Sequence, residues 1–563
     1  MITRLCASAT ITVLALVTVM VGPGYRQASA VDVQPTTTIY LPNIVKMLGG
    51  ADGWNTPIIV QNVGTARADV TFEFYRFSDG ALSRTRTVTG LAPGTSVFDS
   101  PNHDEELSPN GQYSVVVKSY GSPVLEVVNE HQNEANPQRQ EALSYDGLTT
   151  GSTKVFLPRV ANANGWYCTV IAQNLGSGVA ALTANFRSTD GLKTAQITRA
   201  IPALGSKFID PRFEPALAAG TDYSVVMTST QPIGVVVNCH NDDTSILQPR
   251  AYSYNGVLAS NEITTFGAYA AKNVGGRSSR IFVQNSGTAL AHPTMKLYQL
   301  GSWDFDTVQS PPAGLQPGAV WTYDLASSGL FDGEKTLAVV GGQFSLLVET
   351  IGPSSAMAYT GGTEWATRIY LPNVTKTLGG PSGWTTPFIV QSQGAFVASI
   401  RWYRMSDGVQ VFSQTLALGL ALQGTGYKID PGFWAQLANN TQYAVVIESS
   451  TGGVGAVVLE LNNRGGDSAM AYEAMTAAPP TAFGVSNCTP SASGAGASVR
   501  CRMYGFPPGT SSVTYTVQRS GGTSSQETLT DEPIAADGSW GLTTSSASAG
   551  VNTVTVTAGG VTR

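Results

Sequence analysis

Apolar and polar residues alternate along this chain over runs of four to eight positions, and the runs are bounded by Gly, Asn, Asp and Pro. A period of two is the signature of half-buried β-strands separated by turns. Val70, Phe72 and Phe74 alternate with Thr71 and Glu73, and the following Asp79-Gly80 suits a tight hairpin turn. Asp190-Gly191 and Asp407-Gly408 repeat that turn. At Leu182, Ala184 and Phe186 the apolar phase reads as flipped, or as an alignment slipped by one residue. No window sustains a 3.6-residue apolar period. Short helical turns are expected only at 215–218 and 434–437.

The pattern itself recurs. Tyr40-Leu41-Pro42-Asn43 returns as Phe156-Leu157-Pro158-Arg159 and Tyr370-Leu371-Pro372-Asn373, and in degraded form as Phe266-Gly267-Ala268-Tyr269. Gly53-Trp54 returns as Gly165-Trp166 and Gly383-Trp384. Gln61, Gln173, Gln284 and Gln391 follow in register. Asp99-Ser100-Pro101 is matched to Asp210-Pro211 and Asp430-Pro431. Four units of about 110 residues result, too long for propeller blades of about 40–50 residues. The expected organisation is a signal peptide at 1–30, a linker at 31–35, four β-sandwich repeats at 36–150, 151–262, 263–365 (degenerate) and 366–476, a linker at 477–482 and a C-terminal module at 483–563. Length and strand count fit tandem immunoglobulin-like antiparallel sandwiches. Each unit has apolar residues enough for a core of its own, so the array reads as beads on a string.

Composition narrows the function classes. The 563 residues carry 32 Lys+Arg against 38 Asp+Glu, a net charge of −6, which gives no cationic field for nucleic acid. Arg4, the apolar run from 9 to 21, Gly22-Pro23-Gly24 and Ala28-Ser29-Ala30 together form a secretory signal peptide with cleavage after Ala30. The mature chain is then expected outside the cytoplasm, not membrane-spanning, and possessed of four cysteines. Cys168 and Cys239 fall in the same unit and are absent together from the others, which predicts a disulfide. Cys488 and Cys501 form a second expected pair.

Candidate chemistry is sparse. His131 and His240 occupy equivalent places beside acids, and are read as residues of solvated loops rather than metal ligands. No nucleophile elbow, zinc-protease motif or phosphate-cradling loop stands out, so no catalytic residue, metal or cofactor is expected, and the chain is read as a non-enzyme. Tyr75, Phe186, Tyr298 and Tyr403 read as a core column. Trp54, Trp166 and Trp384 precede strands at sandwich ends, where an aromatic face either lids the core or stacks on a sugar. From 39 to 64 and from 369 to 394, 17 of 26 positions are identical. Lys46 with Trp54, and Lys376 with Trp384, are therefore candidate cationic-aromatic binding loops around Gly49-Gly50 and Gly379-Gly380.

The Leu-Pro-Asn, Gly-Trp and Val-Gln-Asn blocks resemble those of secreted tandem-repeat proteins of environmental bacteria. Asp537-Gly538-Ser539-Trp540 and Phe506-Pro507-Pro508-Gly509 resemble turns of bacterial immunoglobulin-like or fibronectin-like modules. The resemblance implies secretion and sandwich repeats, and carries over no active site. The expected function is a secreted structural or adhesive protein acting on a cell-surface or extracellular polymer. The alternatives are glycan binding through the Trp loops, or an accessory region of a polysaccharide-degrading system.

Overall fold

The computed structural model describes residues 35–476 apart from 133–139, 242–248, 303, 363–364, 393, 395, 419–423 and 464–466, and beyond 476 the strands of the C-terminal segment. The signal peptide, the residues up to 34 and the 477–482 linker lie outside the described residues. Repeat 1 consists of β1 (Thr37–Lys46), β2 (Ile58–Asn62), β3 (Ala68–Arg76), β4 (Leu82–Leu91), β5 (Ser96–Asp99), β6 (Gly111–Tyr120), β7 (Val124–Gln132) and β8 (Glu141–Asp146). These form two antiparallel sheets, ordered β1-β6-β3-β4 and β5-β2-β7-β8. Repeats 3 and 4 reproduce both orders. In repeat 2 the counterparts of β6 and β7 fuse into one strand, Tyr223–Asn241, which joins the two sheets.

The all-β tandem architecture is as expected, but the strand order is not that of an immunoglobulin domain. β1 pairs with β6 and β2 pairs with β7. The first sheet follows the alternating pattern: β3 buries Val70, Phe72 and Phe74 and wets the residues between. Leu182, Ala184 and Phe186 sit in the same phase, so there is no flip. Register puts Phe74, Phe186, Leu297 and Trp402 opposite the equivalent residues Val115, Val225, Leu337 and Val445. That is the core column. Tyr75, Tyr298 and Tyr403 lie one residue further on, and Tyr298 and Tyr403 pack beneath Gly424 and Gly94 of the following repeat. Both glycines have positive φ, and a Cβ there would fall 2.8 Å and 3.1 Å from the tyrosine rings.

The second sheet behaves differently, and this overturns the beads-on-a-string expectation. Every residue of β2 and β8, and all but the last two of β7, is buried. One face fills the sandwich of its own repeat. The other face, with Ile59, Leu125 and Val127, joins the core of repeat 4. Likewise Ile171 and Val236 of repeat 2 join the core of repeat 1, Phe282 and Leu347 of repeat 3 join that of repeat 2, and Ile389 and Val457 of repeat 4 join that of repeat 3. The four repeats are therefore cyclic: each lends its second sheet to the one before, and repeat 1 lends its own to repeat 4.

β8 and its counterparts Arg250–Asn255, Ala356–Thr360 and Ala469–Glu473 touch in a closed cycle around one axis. Alternation sorts their side chains. Tyr145, Tyr254, Tyr359 and Tyr472 point into their own sandwiches and donate to the backbone carbonyls of Asn43, Arg159, Tyr269 and Asn373. The intervening Ser144, Ser253, Ala358 and Ala471 are small, which lets four backbones converge and leaves about 10 Å³ at the axis. At one end Asp467 stitches the cycle: its carboxylate accepts the N–H groups of Ala251 (2.6 Å) and Ala356 (3.0 Å), and its own N–H donates to the Gln140 carbonyl at 2.7 Å. One residue of repeat 4 thus ties down the other three. At the far end Glu473 accepts from Thr360, Asp146 accepts the Glu473 N–H, and Asn255 donates to the Asp146 carbonyl.

The described strands beyond 476 form a three-stranded and a four-stranded antiparallel sheet. Cys488 and Cys501 lie on the adjacent strands Val485–Pro490 and Val499–Met503, and the chemistry of their side chains lies outside the described residues.

Candidate functional site

The seams between repeats hold recurring buried polar side chains. Four Gln landmarks recur because three of them cross a seam. Gln284 Nε2 donates to the carbonyl of Val225 at 3.1 Å, Gln391 Nε2 to Leu337 at 3.1 Å, and Gln173 Nε2 to Leu204 of its own repeat at 3.3 Å, within 3.5 Å of Val115 across the seam. Ser114, Ser224 and Thr336 reciprocate, donating to Leu204, Gly318 and Gly424 of the next repeat at 2.6–2.9 Å. The seam between repeats 4 and 1 lacks both bonds. Gln61 is buried with neither amide atom bonded among the described residues, and the fourth hydroxyl position is Ala444.

Each seam also has a node built from three positions. At the 1–2 seam Glu130 accepts from Asn43 (3.2 Å) and from Asn238 of repeat 2 (2.9 Å). At the 4–1 seam Glu460 accepts from Asn373 (2.6 Å) and from Asn129 of repeat 1 (3.1 Å). At the 2–3 seam the charge is transposed: Arg159, 1% exposed, pairs with Glu349 of repeat 3, which also holds Arg280 at 2.7 Å. At the 3–4 seam the positions are Tyr269, Thr350 and Leu459. Burial pushes the carboxyls of Glu130 and Glu460 up to about 7, against the amide hydrogen bonds that favour the anion.

The Cys168–Cys239 disulfide forms directly across paired strands. In repeat 3 Ser279 and Thr350 occupy the same slot and hydrogen-bond at 2.7 Å. The register places Glu460, not Leu461, opposite Thr386, one residue from the sequence alignment. His131 and His240, expected in solvated loops, instead meet tryptophans across seams: Trp54 with His240 at 5.0 Å and Trp384 with His131 at 6.0 Å between ring centroids. Their neighbours Glu134, Asp242 and Asp243 lie outside the described residues. Burial holds the His131 imidazole down at about 4, so it is neutral.

The binding loops expected at Lys46 and Lys376 are not cationic surfaces. Lys46 is 5% exposed and Lys376 7%. Each donates its ammonium to two carbonyls below a 3₁₀ turn: Lys46 to Asp104 and Leu107, Lys376 to Trp434 and Leu437. Those turns, Pro101–His103, Pro211–Phe213 and Pro431–Phe433, start just before the segments expected to be helical. Asp210 and Asp430 cap theirs, whereas the equivalent cap position in repeat 1 is Ser100. Asp99 is therefore not their counterpart; it is buried and paired with Arg86. The paired glycines do form exposed positive-φ turns, at φ 96° and 112° for Gly49 and Gly50. Trp166 is 6% exposed and packs on Tyr252 at 5.3 Å, as a core lid.

Trp384 differs, because it borders a cavity of about 330 Å³ in the 4–1 seam. The floor is Glu460, Asn373 and Asn129, at 1–7% exposure, and Phe98 at the rim is 44% exposed. His131, Gln140, Gln442, Leu378 and Met470 are also among its lining. The Nδ1 atom of His131 is buried without a hydrogen-bond partner among the described residues. Neither Glu460 nor His131 was legible as a site residue from sequence. The signal available was the pair Glu130 and Glu460, hidden by the one-residue misalignment.

No protein-family profile matches the chain, and no curated protein matches it. It is similar to a solved structure described as the "Crystal structure of tetra-tandem repeat in extending region of large adhesion protein", at 12% identity over 71% of this chain and 92% of that one, with a TM-score of 0.12. A likeness at that score carries no argument about how this chain works.

Proposed function

We propose that the protein is a secreted, non-enzymatic structural or adhesive component whose four repeats act as one rigid head on an extracellular or cell-surface polymer. The observation that carries this reading is the cyclic sharing of second sheets. It commits the interior carboxylates Asp467, Glu473, Glu130 and Glu460 to bonds between repeats. A signal-peptide pattern at the N-terminus and a buried disulfide support an oxidising destination outside the cytoplasm. No described helix is long and apolar enough to cross a membrane. The test is fractionation of the source organism followed by rebinding of purified mature protein to its washed cell surface. Retention on the surface, with rebinding that saturates, is expected. Uncleaved protein in the cytoplasm, or turnover of a polysaccharide by the purified chain, would overturn the reading.

A further inference from the structure

The four seams share one scaffold, so differences between them isolate what each was shaped to do. The 1–2 seam is filled. Tyr167 stacks on His240 with ring centroids 5.3 Å apart, Arg212 lies over Tyr167 at 3.4 Å, and Glu141 reaches His240 Nδ1 at 3.3 Å. Register identifies the corresponding residues of the 4–1 seam as Asn55 for Tyr167, Asn102 for Arg212 and Ser468 for Glu141. All three positions carry larger side chains at the 1–2 seam than at the 4–1 seam, and small residues recur at the other seams too, where Ser278 and Thr385 stand in place of Tyr167. What remains is the 330 Å³ cavity, with the Trp–His pair and the Glu–Asn–Asn node retained on its walls.

A void normally costs stability, because it forfeits packing and leaves polar atoms unpaired. Here it goes with a His131 Nδ1 that lines the opening and is buried without a partner among the described residues. Among the described residues the wall carries no Lys or Arg to hold an anion. Both Glu460 oxygens already accept amide hydrogens, so a cation would find a carboxyl that is engaged and, near neutrality, partly protonated. The described lining combines aromatic and apolar residues (Trp384, Phe98, Leu378, Met470) with uncharged donors and acceptors (Gln140, Gln442, His131, Asn373). One C–H face beside a rim of hydroxyls is the complement of that wall. The volume is at the lower end of small-molecule pockets, which limits the occupant to about one ring.

We infer that the seam between repeats 4 and 1 is a binding site for a single neutral sugar ring, one per chain, seated between Trp384 and the Glu460–Asn373–Asn129 node. The inference adds a ligand class to the proposed extracellular role and rests on that role only for the source of the sugar, such as a terminal residue of a glycan.

The test uses full mature protein and four probes: D-glucose, D-galactose, D-mannose and N-acetyl-D-glucosamine, each titrated to about 20 mM and read by saturation-transfer NMR and calorimetry. At least one should bind with a stoichiometry of one and a Kd of about 1 mM, the range open to a fragment making a few hydrogen bonds. The triple variant Asn55→Tyr with Asn102→Arg and Ser468→Glu carries the side chains of the filled 1–2 seam, and should abolish binding while the melting temperature holds or rises. Glu460→Gln keeps the shape of the node and should weaken binding by about tenfold. The inference is overturned if no probe binds, if the filled variant binds as the wild type does, or if more than one site titrates. Surface rebinding without sugar binding removes the site and leaves the structural role standing. Sugar binding by a protein that never associates with a surface does the reverse.

Discussion

Glu126 lies in the interior of repeat 1 with no hydrogen-bond partner for either oxygen among the described residues, and burial drives its carboxyl well above the usual range. The equivalent residues are Val235, Leu346 and Ala456, which shows that the position asks only for an apolar side chain. Glu126→Val should therefore stabilise the protein by about 1–3 kcal/mol, read as a higher denaturant midpoint at unchanged slope. The titrating seam residues set a pH dependence. Glu130 and Glu460 are pushed up to about 7 from 4.5, so the folded state holds protons that the unfolded chain releases. Their stabilisation is complete below pH 4.5 and is lost as pH rises through 7, by about 3 kcal/mol each. His131, lowered to about 4 from 6.5, works oppositely, contributing above 6.5 and failing as pH falls through 4. With two carboxyls against one imidazole, the melting temperature should be higher at pH 5 than at pH 8. Glu130→Gln with Glu460→Gln should flatten that slope, and a melting temperature that climbs from pH 5 to 8 would contradict these assignments.

At the scale of elements, first-sheet strands were legible because one face is wet and the sequence alternates. Second-sheet strands were legible only as strands. Ile58-Ile59-Val60 and Val235-Val236-Val237 do not alternate, and continuous apolarity means a second buried face. That is the sequence's statement about packing between repeats, and it is equally consistent with a separate core in each unit. The partner of that face is over 300 residues away in the case of Ile59 and repeat 4, so no local pattern could name it. The Asp-Gly turns, by contrast, depend on φ at one residue and appear as expected, with Gly80, Gly191 and Gly408 at 70–75°. Two variants test the element-level account. Asp467→Ala leaves the N–H groups of Ala251 and Ala356 without their acceptor at the axis and should cost about 2–4 kcal/mol, far more than a surface Asp change. Cys168→Ser with Cys239→Thr copies the Ser279–Thr350 bond of repeat 3. It should lose less stability than the double Ala variant, whose loss should approach about 4 kcal/mol for a cross-link spanning 71 residues. Equal losses would mean that the slot does not use the hydrogen bond.

For the whole molecule, the tandem repetition of all-β units was visible because duplication leaves landmarks, but their arrangement was not. Landmarks such as Gln284 and Gln391 record what each repeat does for its predecessor, and a carbonyl acceptor leaves no mark in a sequence. An isolated repeat 1 would expose Ile59, Leu125 and Val127, each worth about 1.5–3 kcal/mol when buried. Fragment 36–150 alone should therefore aggregate or remain unfolded, and folding as a stable monomer would refute the shared core. The central claim is closure of repeat 4 onto repeat 1, and small-angle X-ray scattering of fragment 36–476 reads it most directly. A closed, compact array predicts a radius of gyration of about 22 Å, whereas four separate domains in a line give about 40 Å. A value near the first, with unfolding in one cooperative transition, is what the cyclic arrangement requires. A value near the second would contradict it.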